Sequence, residues 1–358
     1  MTATGGRAGT GLPMALGDAR ALGDARALGD ARALGDARAL GDAAETWLVG
    51  DIGATNARFG LVSPAAKVLH WRSYPVEHYP TIEDALADYL AARGEWLMPS
   101  KAALAVASAI TSDQVSMTNH PWSFSIAAVK SRFGFERFEA INDFTAQALA
   151  LPHLGPDDRM NVGGGAAAPG APLAVLGPGS GLGVSGLVAC AEGWVALIAE
   201  GGHATMAPST DRESAVLDHM RRHFDHVSAE RVLSGPGLVN LYNTLVELDG
   251  IRSRGYAAAQ ITNLGMRGED PFCVEATAMF CAMLGTIAGN LALTLGARGG
   301  VYIAGGIVPR LGRFFADSPF RARFEAKGRF EPYLAAIPTY VVTHSLAAFL
   351  GCAALLAR

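Results

Sequence analysis

Two strand–turn–strand segments, about 126 residues apart and each with glycine in its turn, constrain this chain more than any other feature. In the first, Trp47-Leu-Val-Gly-Asp51 reads as an apolar strand, Ile52 to Asn56 as a turn and Ala57 to Val62 as a returning strand. In the second, Leu173-Ala-Val-Leu176 leads through Gly177-Pro-Gly-Ser-Gly-Leu-Gly183 into Val184 to Ala189. Helical spacing at Thr81–Arg93 and short apolar strands at Ala102–Ala107 and Phe138–Ile141 follow the first hairpin. Helices near Ser214–Phe224, Gly237–Val246 and Val274–Leu295, then a strand at Val301–Ala304, follow the second. Strands alternating with helices imply an α/β architecture. The recurring hairpin implies a duplicated design with one lobe per copy, and the Gly163–Pro172 loop is a plausible boundary between them.

The size of the chain fits two lobes: 358 residues, 50% hydrophobic and 17% charged, can bury a sizeable core. A formal net charge of −4 supplies no bulk attraction to nucleic acid or anionic lipid. Basic stretches interleaved with aromatics are absent, so no nucleic-acid partner is expected. Cys190, Cys273, Cys281 and Cys352 form no C-x-x-C pair and read as reduced core thiols in a reducing, cytoplasmic setting. The N-terminus shows no basic segment followed by an apolar core of the secretory kind. Ala276–Ala297 is uncharged and long enough to span a bilayer, with Gly285 and Gly289 at G-x-x-x-G spacing. Asn290 and three threonines dilute it, so a buried helix packed through small residues is expected, and no membrane partner. Ala15 to Arg38 is four copies of Ala-Leu-Gly-Asp-Ala-Arg. A six-residue step turns a helix by about 240°, so no apolar stripe forms, and residues 1–44 read as a disordered, low-complexity tail.

The glycine-rich turns carry chemistry of their own. Gly50, Asp51, Ile52, Gly53, Ala54, Thr55 and Asn56 place small residues and two side-chain donors between strands, a geometry that can aim N–H groups at an anion. Asp51 at the strand end can hold Mg²⁺ directly or through water. Gly177, Gly179, Ser180, Gly181 and Gly183 hold more glycine than a hairpin needs. Gly181, Gly183 and Gly186 also match G-x-G-x-x-G, but strands rather than a helix follow, which excludes a dinucleotide site. The segments of a protein kinase and of a P-loop are absent. Gly305-Gly306, after a strand, lets backbone approach a flat ligand such as adenosine. Asn142-Asp143 ends a strand, where open α/β sheets place ligands and where an aspartate can take a proton from a hydroxyl. Glu200 and His203 on a glycine turn, and Glu230 before a glycine-proline turn, offer groups suited to a polyol.

Together, LVGDIGATNARFGLV, INDFTAQALALP, GPGSGLGVSGLV, EGGHATMAP, HVSAERVLSGPGLVNLY and GGVYIAGGIVPRL resemble the bacterial glucokinase family of the hexokinase/actin-like ATPase superfamily. The matching segments run in family order from about Thr46 almost to the C-terminus. The resemblance implies a two-lobed actin-like ATPase (ribonuclease H-like) fold with a cleft between the lobes. It implies a small α/β domain of residues 45–153 plus 344–358 and a large one of 154–343. It also implies an enzyme that moves phosphate from ATP, with Mg²⁺, to glucose, and a homodimer. Asp143 then corresponds to the general base, and Asn142, Glu200, His203 and Glu230 to sugar contacts. The two glycine turns correspond to phosphate loops and Gly305-Gly306 to the adenosine side. A catalytically silent sugar sensor, another hexose acceptor or a polyphosphate donor are the competing readings. Two departures stand out. Ala54 replaces a usual glycine, costly only where φ is positive, and His344-Ser-Leu-Ala-Ala lacks the usual acidic and proline residues.

Overall fold

The computed structural model describes residues 45–358 except 95, 97 and 119, so the hexapeptide repeat and the expected tail lie outside the described residues. The first half supplies β1 (Trp47–Ile52), β2 (Asn56–Val62), β3 (Val68–Pro75), α1 (Ile82–Ala91), β4 (Lys101–Val106), β5 (Gln114–Ser116), β6 (Ser123–Ser125), α2 (Ile126–Phe133), β7 (Arg137–Asn142) and α3 (Asp143–Ala150). Next come β8 (Arg159–Asn161), β9 (Leu173–Pro178), β10 (Leu182–Cys190), β11 (Gly193–Leu197), α4 (Asp211–Met220), α5 (Gly235–Leu248), α6 (Ala258–Arg267) and α7 (Pro271–Leu295). The chain closes with β12 (Gly300–Ile303), α8 (Val308–Leu311), α9 (Arg313–Ala316), α10 (Phe320–Glu325), α11 (Glu331–Ala335), β13 (Thr339–Val342) and α12 (Ala347–Leu356).

The duplication expected from the hairpins is visible in the sheets. One sheet runs β3-β2-β1-β4-β7 and the other β11-β10-β9-β12-β13-β8. In each, the leading strand pairs antiparallel with its hairpin partner and parallel with the next strand across. The second sheet differs only by β8, which pairs antiparallel with β13. A parallel neighbour requires a crossover, and α1 provides one between β3 and β4. Thr81 caps it by accepting the Asp84 N–H at 3.1 Å. Ile82, Ala85, Leu86, Tyr89 and Leu90 are buried, an i, i+3, i+4, i+7, i+8 stripe against the first sheet.

β1 is apolar from Trp47 to Gly50 because both its faces are covered. Leu48 and Ile52 join a core with Phe59, Tyr89 and Leu104, while Trp47 and Val49 join Ala146, Phe349 and Cys352. Alternate side chains of one strand thus serve two cores. The second of these cores carries α12, which packs on α3, β1 and β4. On its other side α3 contributes Phe144 and Leu149 to a cluster with Val175 and Tyr302 of the second sheet. α3 therefore lies between the two sheets, and its N-terminus opens where their glycine turns end.

α7 is long and apolar enough to cross a membrane, as its sequence suggests, and 61% of its most apolar window is buried. It is the central helix of the large core, packed against α6, α5 and α10. Asp270 caps it through the N–H groups of Phe272 and Cys273, and Gly296 in the left-handed conformation ends it. A Cβ on Gly285 would strike the carbonyl oxygen of Phe320 on α10, and one on Gly289 would sit 2.6 Å from that of Phe324. Gly285→Val is accordingly expected to lower stability by at least about 2 kcal/mol, measured as a reduced urea midpoint with unchanged slope.

Two expectations need correction. The helix read as Ser214–Phe224 starts at Asp211, because Thr210 caps it by accepting the Glu213 N–H at 3.2 Å. Cys190 is exposed at the end of β10, whereas the other three cysteines are buried; all four are free.

Candidate active site

One end of the cavity is built at the junction of β7 and α3. β7 ends in Asn142, whose side-chain oxygen accepts the N–H groups of Phe144 (2.9 Å) and Thr145 (3.2 Å) and so starts the helix. The amide nitrogen of Asn142 donates to Ser108 O (3.2 Å) and to Asp143 Oδ1 (3.0 Å). The Phe144 N–H also donates to Asp143 Oδ1, at 2.9 Å. Asp143 is thus held by one oxygen, while Oδ2 takes no hydrogen bond from any described residue. Burial pushes its carboxyl up to about 7; the negative charges of Asp51 and Glu200 add to this, and the Phe144 N–H opposes it. A carboxylate tuned to near neutral pH in a cleft is what base catalysis needs.

Asp51 stands near the end of β1. Burial raises its carboxyl above the usual range, and Arg58 opposes that from 3.3 Å. Arg58 also donates to Ser345 O at 3.3 Å. The turn at His344-Ser-Leu-Ala-Ala closes without an acid or proline: His344 Nδ1 accepts the Leu346 N–H at 3.2 Å, and its own N–H donates to Asp158 O.

The first glycine turn is tighter than its sequence suggests. Gly50, Asp51 and Ile52 belong to β1, and Gly53 N–H donates to Asn56 O at 3.0 Å to close the hairpin. Ile52 is fully buried, Thr55 and Asn56 are exposed, and only Gly53 and Ala54 reach the cavity wall. Ala54 does not have a positive φ, so the departure from glycine costs no backbone strain.

In the second turn the glycines answer to packing rather than to φ. A Cβ on Gly177 would lie 2.5 Å from the Ala304 carbonyl carbon, and Cβ atoms on Gly181 and Gly183 would strike the Glu230 carboxylate and the Phe144 ring. Gly179 differs: a Cβ there meets no protein atom within 4 Å, yet the residue lines the cavity. The turn is fastened by Gly179 N–H to Gly181 O and Gly235 N–H to Gly179 O, both 2.8 Å. Gly305 has φ of +79°, a conformation glycine alone adopts readily, and Gly306 is open to solvent.

The polyol-type residues arrive on two 3₁₀ turns. Gly201–His203 follows Glu200, and Ala229–Arg231 carries Glu230. Glu230 Oε2 accepts the Leu182 N–H at 2.8 Å, which ties the Ala229–Arg231 turn to the glycine turn. Isolated bridging of Thr205 with Ser228 holds the two 3₁₀ segments side by side.

These pieces surround one cavity of about 680 Å³, within the usual range of small-molecule sites. Asn142, Asp143, Glu200, His203, Glu230, Gly53, Ala54, Gly177, Gly179, Ser180, Gly181, Gly183, Gly305 and Gly306 all line it; Gly50, Asp51, Ile52, Thr55 and Asn56 do not. Sequence reasoning missed Ser108, Thr118, Ser234 and Asn240 on the same wall. Ser108 follows β4 at its carboxyl end, so the strand-end rule that picked out Asp143 was a signal for it as well.

Known proteins resemble this chain over most of its length. The glucokinase family profile matches residues 48–358. A glucokinase of Paramagnetospirillum magneticum is 52% identical over 309 residues, covering 86% of this chain and 96% of that protein. The structure of a glucokinase from an Antarctic psychrotroph superposes with a TM-score of 0.79 at 38% identity, over 87% of this chain and 98% of that one. A ROK-family glucokinase of Streptomyces griseus, solved with glucose and AMPPNP, shares the fold at a TM-score of 0.60 and 20% identity, over 87% and 99% of the two chains. With the profile spanning nearly all of the described residues, and a relative of over half identity, this chain belongs to the glucokinase family.

Proposed function

We propose that Asp143 is the general base of this enzyme and that Asn142, Glu200, His203 and Glu230 orient the sugar. Family membership makes the reaction the ATP-dependent phosphorylation of glucose to glucose 6-phosphate. The observation that carries the assignment is the convergence of Asp143, Glu200, His203 and Glu230, from three separate segments, on one cavity rimmed by glycine turns. In this reading Asp143 Oδ2 takes the proton of the 6-hydroxyl as that oxygen attacks the γ-phosphorus in line. Asn142 holds the other carboxylate oxygen still, so the base needs no reorganisation. Glu200, His203 and Glu230 pair with the remaining hydroxyls, Glu230 with the oxygen that Leu182 leaves free. The Gly53–Ala54 and Gly177–Gly183 turns let backbone approach the phosphates, and Gly305-Gly306 lies on the adenosine side.

The donor set fits Mg²⁺. Asp51 and Asp143 are close enough for one charge to raise the other's pKa, a repulsion that a hard cation with oxygen ligands would relieve. Asp51 would hold the ion, directly or through water, in competition with Arg58. When bound, the ion neutralises charge on the transferring phosphoryl group. We further propose a small domain of 45–153 plus 344–358 and a large domain of 154–343, a division supported by the packing of α12 on β1 and β4. A homodimer in a reducing cytoplasm completes the reading, the latter supported by four unpaired cysteines.

The test is the pH dependence of kcat/KM for glucose, which reports ionisations of the free enzyme. A base must be ionised to work, and Asp143 is protonated below its pKa of about 7. The profile is expected to fall about tenfold per unit below pH 7 and to level off above pH 8. An acid limb below pH 5 would contradict the raised pKa of Asp143, and an acid limb that persists unchanged in Asp143→Asn would remove the residue from the role.

A further inference from the structure

Outside the cleft, α4 and α5 bring together a second chemically distinct group: His219, His223 and Glu247. His219 lies on α4. The turn beyond α4 keeps the helical path, with His223 N–H and Phe224 N–H both donating to Met220 O at 2.9 and 3.0 Å. His219 and His223, four apart, therefore share a face, and their ring centroids are 5.4 Å apart. Glu247 approaches from α5 and its Oε2 lies 2.8 Å from His219 Nε2. One ligand atom from each residue lies within 4.8 Å of the others. Ligands about 2.0–2.2 Å from a tetrahedral ion stand roughly 3.3–3.6 Å apart, so the His219–Glu247 pair would open from 2.8 Å and His223 would close in from within 4.8 Å to complete the set.

We propose that His219, His223 and Glu247 form a surface site for a late first-row divalent cation, in the first instance Zn²⁺. Two imidazoles and one carboxylate suit zinc, and they disfavour Mg²⁺, which prefers oxygen ligands and keeps its waters. Three protein ligands leave a position for water. The ion would tie the end of α4 and the turn beyond it to the last turn of α5. The helices already meet at a second point, where Arg212 pairs with Asp249 at 2.8 Å and with Glu275. That second tie holds Glu247 near His219 before any ion binds. None of the three residues lines the cleft, so the site is separate from phosphoryl transfer.

The test uses chelator-stripped, full-length protein without nucleotide, titrated with Zn²⁺ by calorimetry and followed by thermal unfolding. One equivalent is expected to bind, and zinc at about 100 times Kd should raise Tm by about 4 °C. His223→Ala and Glu247→Gln should each weaken binding at least about tenfold and cut the Tm shift at that same zinc concentration to about half or less. Both should keep parental turnover with magnesium-ATP and glucose measured without zinc. Unchanged zinc affinity in the two variants, no binding in the parent, or equal protection by Mg²⁺ would each overturn the proposal.

Discussion

Asp143→Asn is expected to lower kcat by at least about 100-fold, the scale of base catalysis, while glucose still binds with near-parental affinity. The substitution is close to isosteric where it matters. Oδ1 remains to accept from Asn142 and from the Phe144 N–H, and the new amide nitrogen replaces Oδ2, which takes no hydrogen bond from a described residue. Stability separates loss of the base from loss of the fold. Burial raises Asp143 to about 7, so the folded protein keeps a proton that the unfolded chain releases near its ordinary value. The contribution of this residue to stability is therefore fully present below about pH 4 and is lost as pH rises towards 7. Asparagine titrates nowhere in this range. The variant should melt above the parent at pH 8, with the gap closing towards pH 4. Parental turnover with glucose and ATP would sink the assignment, and a lower Tm at pH 8 would contradict the electrostatic account.

Gly179→Val is the second large effect. Its three companions in the turn are glycine because protein atoms crowd them, but no protein atom lies within 4 Å of a Cβ at Gly179. Its φ is not in the left-handed range, so the backbone accepts a side chain. If that space belongs to a phosphate, valine should raise the KM for ATP at least about tenfold, or about 1.4 kcal/mol, with glucose affinity and Tm nearly unchanged. Gly183→Ala provides the contrast. There the new methyl meets the Phe144 ring beside Asp143, so Tm and kcat should fall together. An unchanged KM for ATP in Gly179→Val would move the phosphates away from this turn.

Much of the fold was legible because burial on both faces leaves a plain signature. β1 up to Gly50 and β9 are apolar runs leading into glycine turns, and their repetition announced two sheets of one topology. β3 was not legible: Val68–Pro75 sits on the edge of its sheet with His70, Trp71, Arg72 and Ser73 at least partly exposed, which blurs a two-residue period. β5, β6 and β8 are three residues each, too short for any period to show.

The site was legible in a different way. Asp143, Glu200, His203 and Glu230 carry little meaning singly, and their meeting depends on crossovers no local pattern reports; the resemblance joined them. What sequence could not reach is the fine geometry. Asn142 spends its amide on Ser108, Asp143 and the start of α3. Gly50 and Ile52 are strand residues, so only Gly53 and Ala54 of that stretch face the cavity. Which oxygen of Asp143 is left free follows from bonds between neighbours that spacing alone does not reveal.

The most direct measurement is the single-turnover rate of glucose 6-phosphate formation by parent and Asp143→Asn, each saturated with glucose and magnesium-ATP at pH 8. The account predicts rapid conversion by the parent and a rate at least about 100-fold slower in a variant that remains folded and saturated with glucose. Conversion at the parental rate in that variant would show that the proton leaves by another route and that the cleft works without Asp143 as its base.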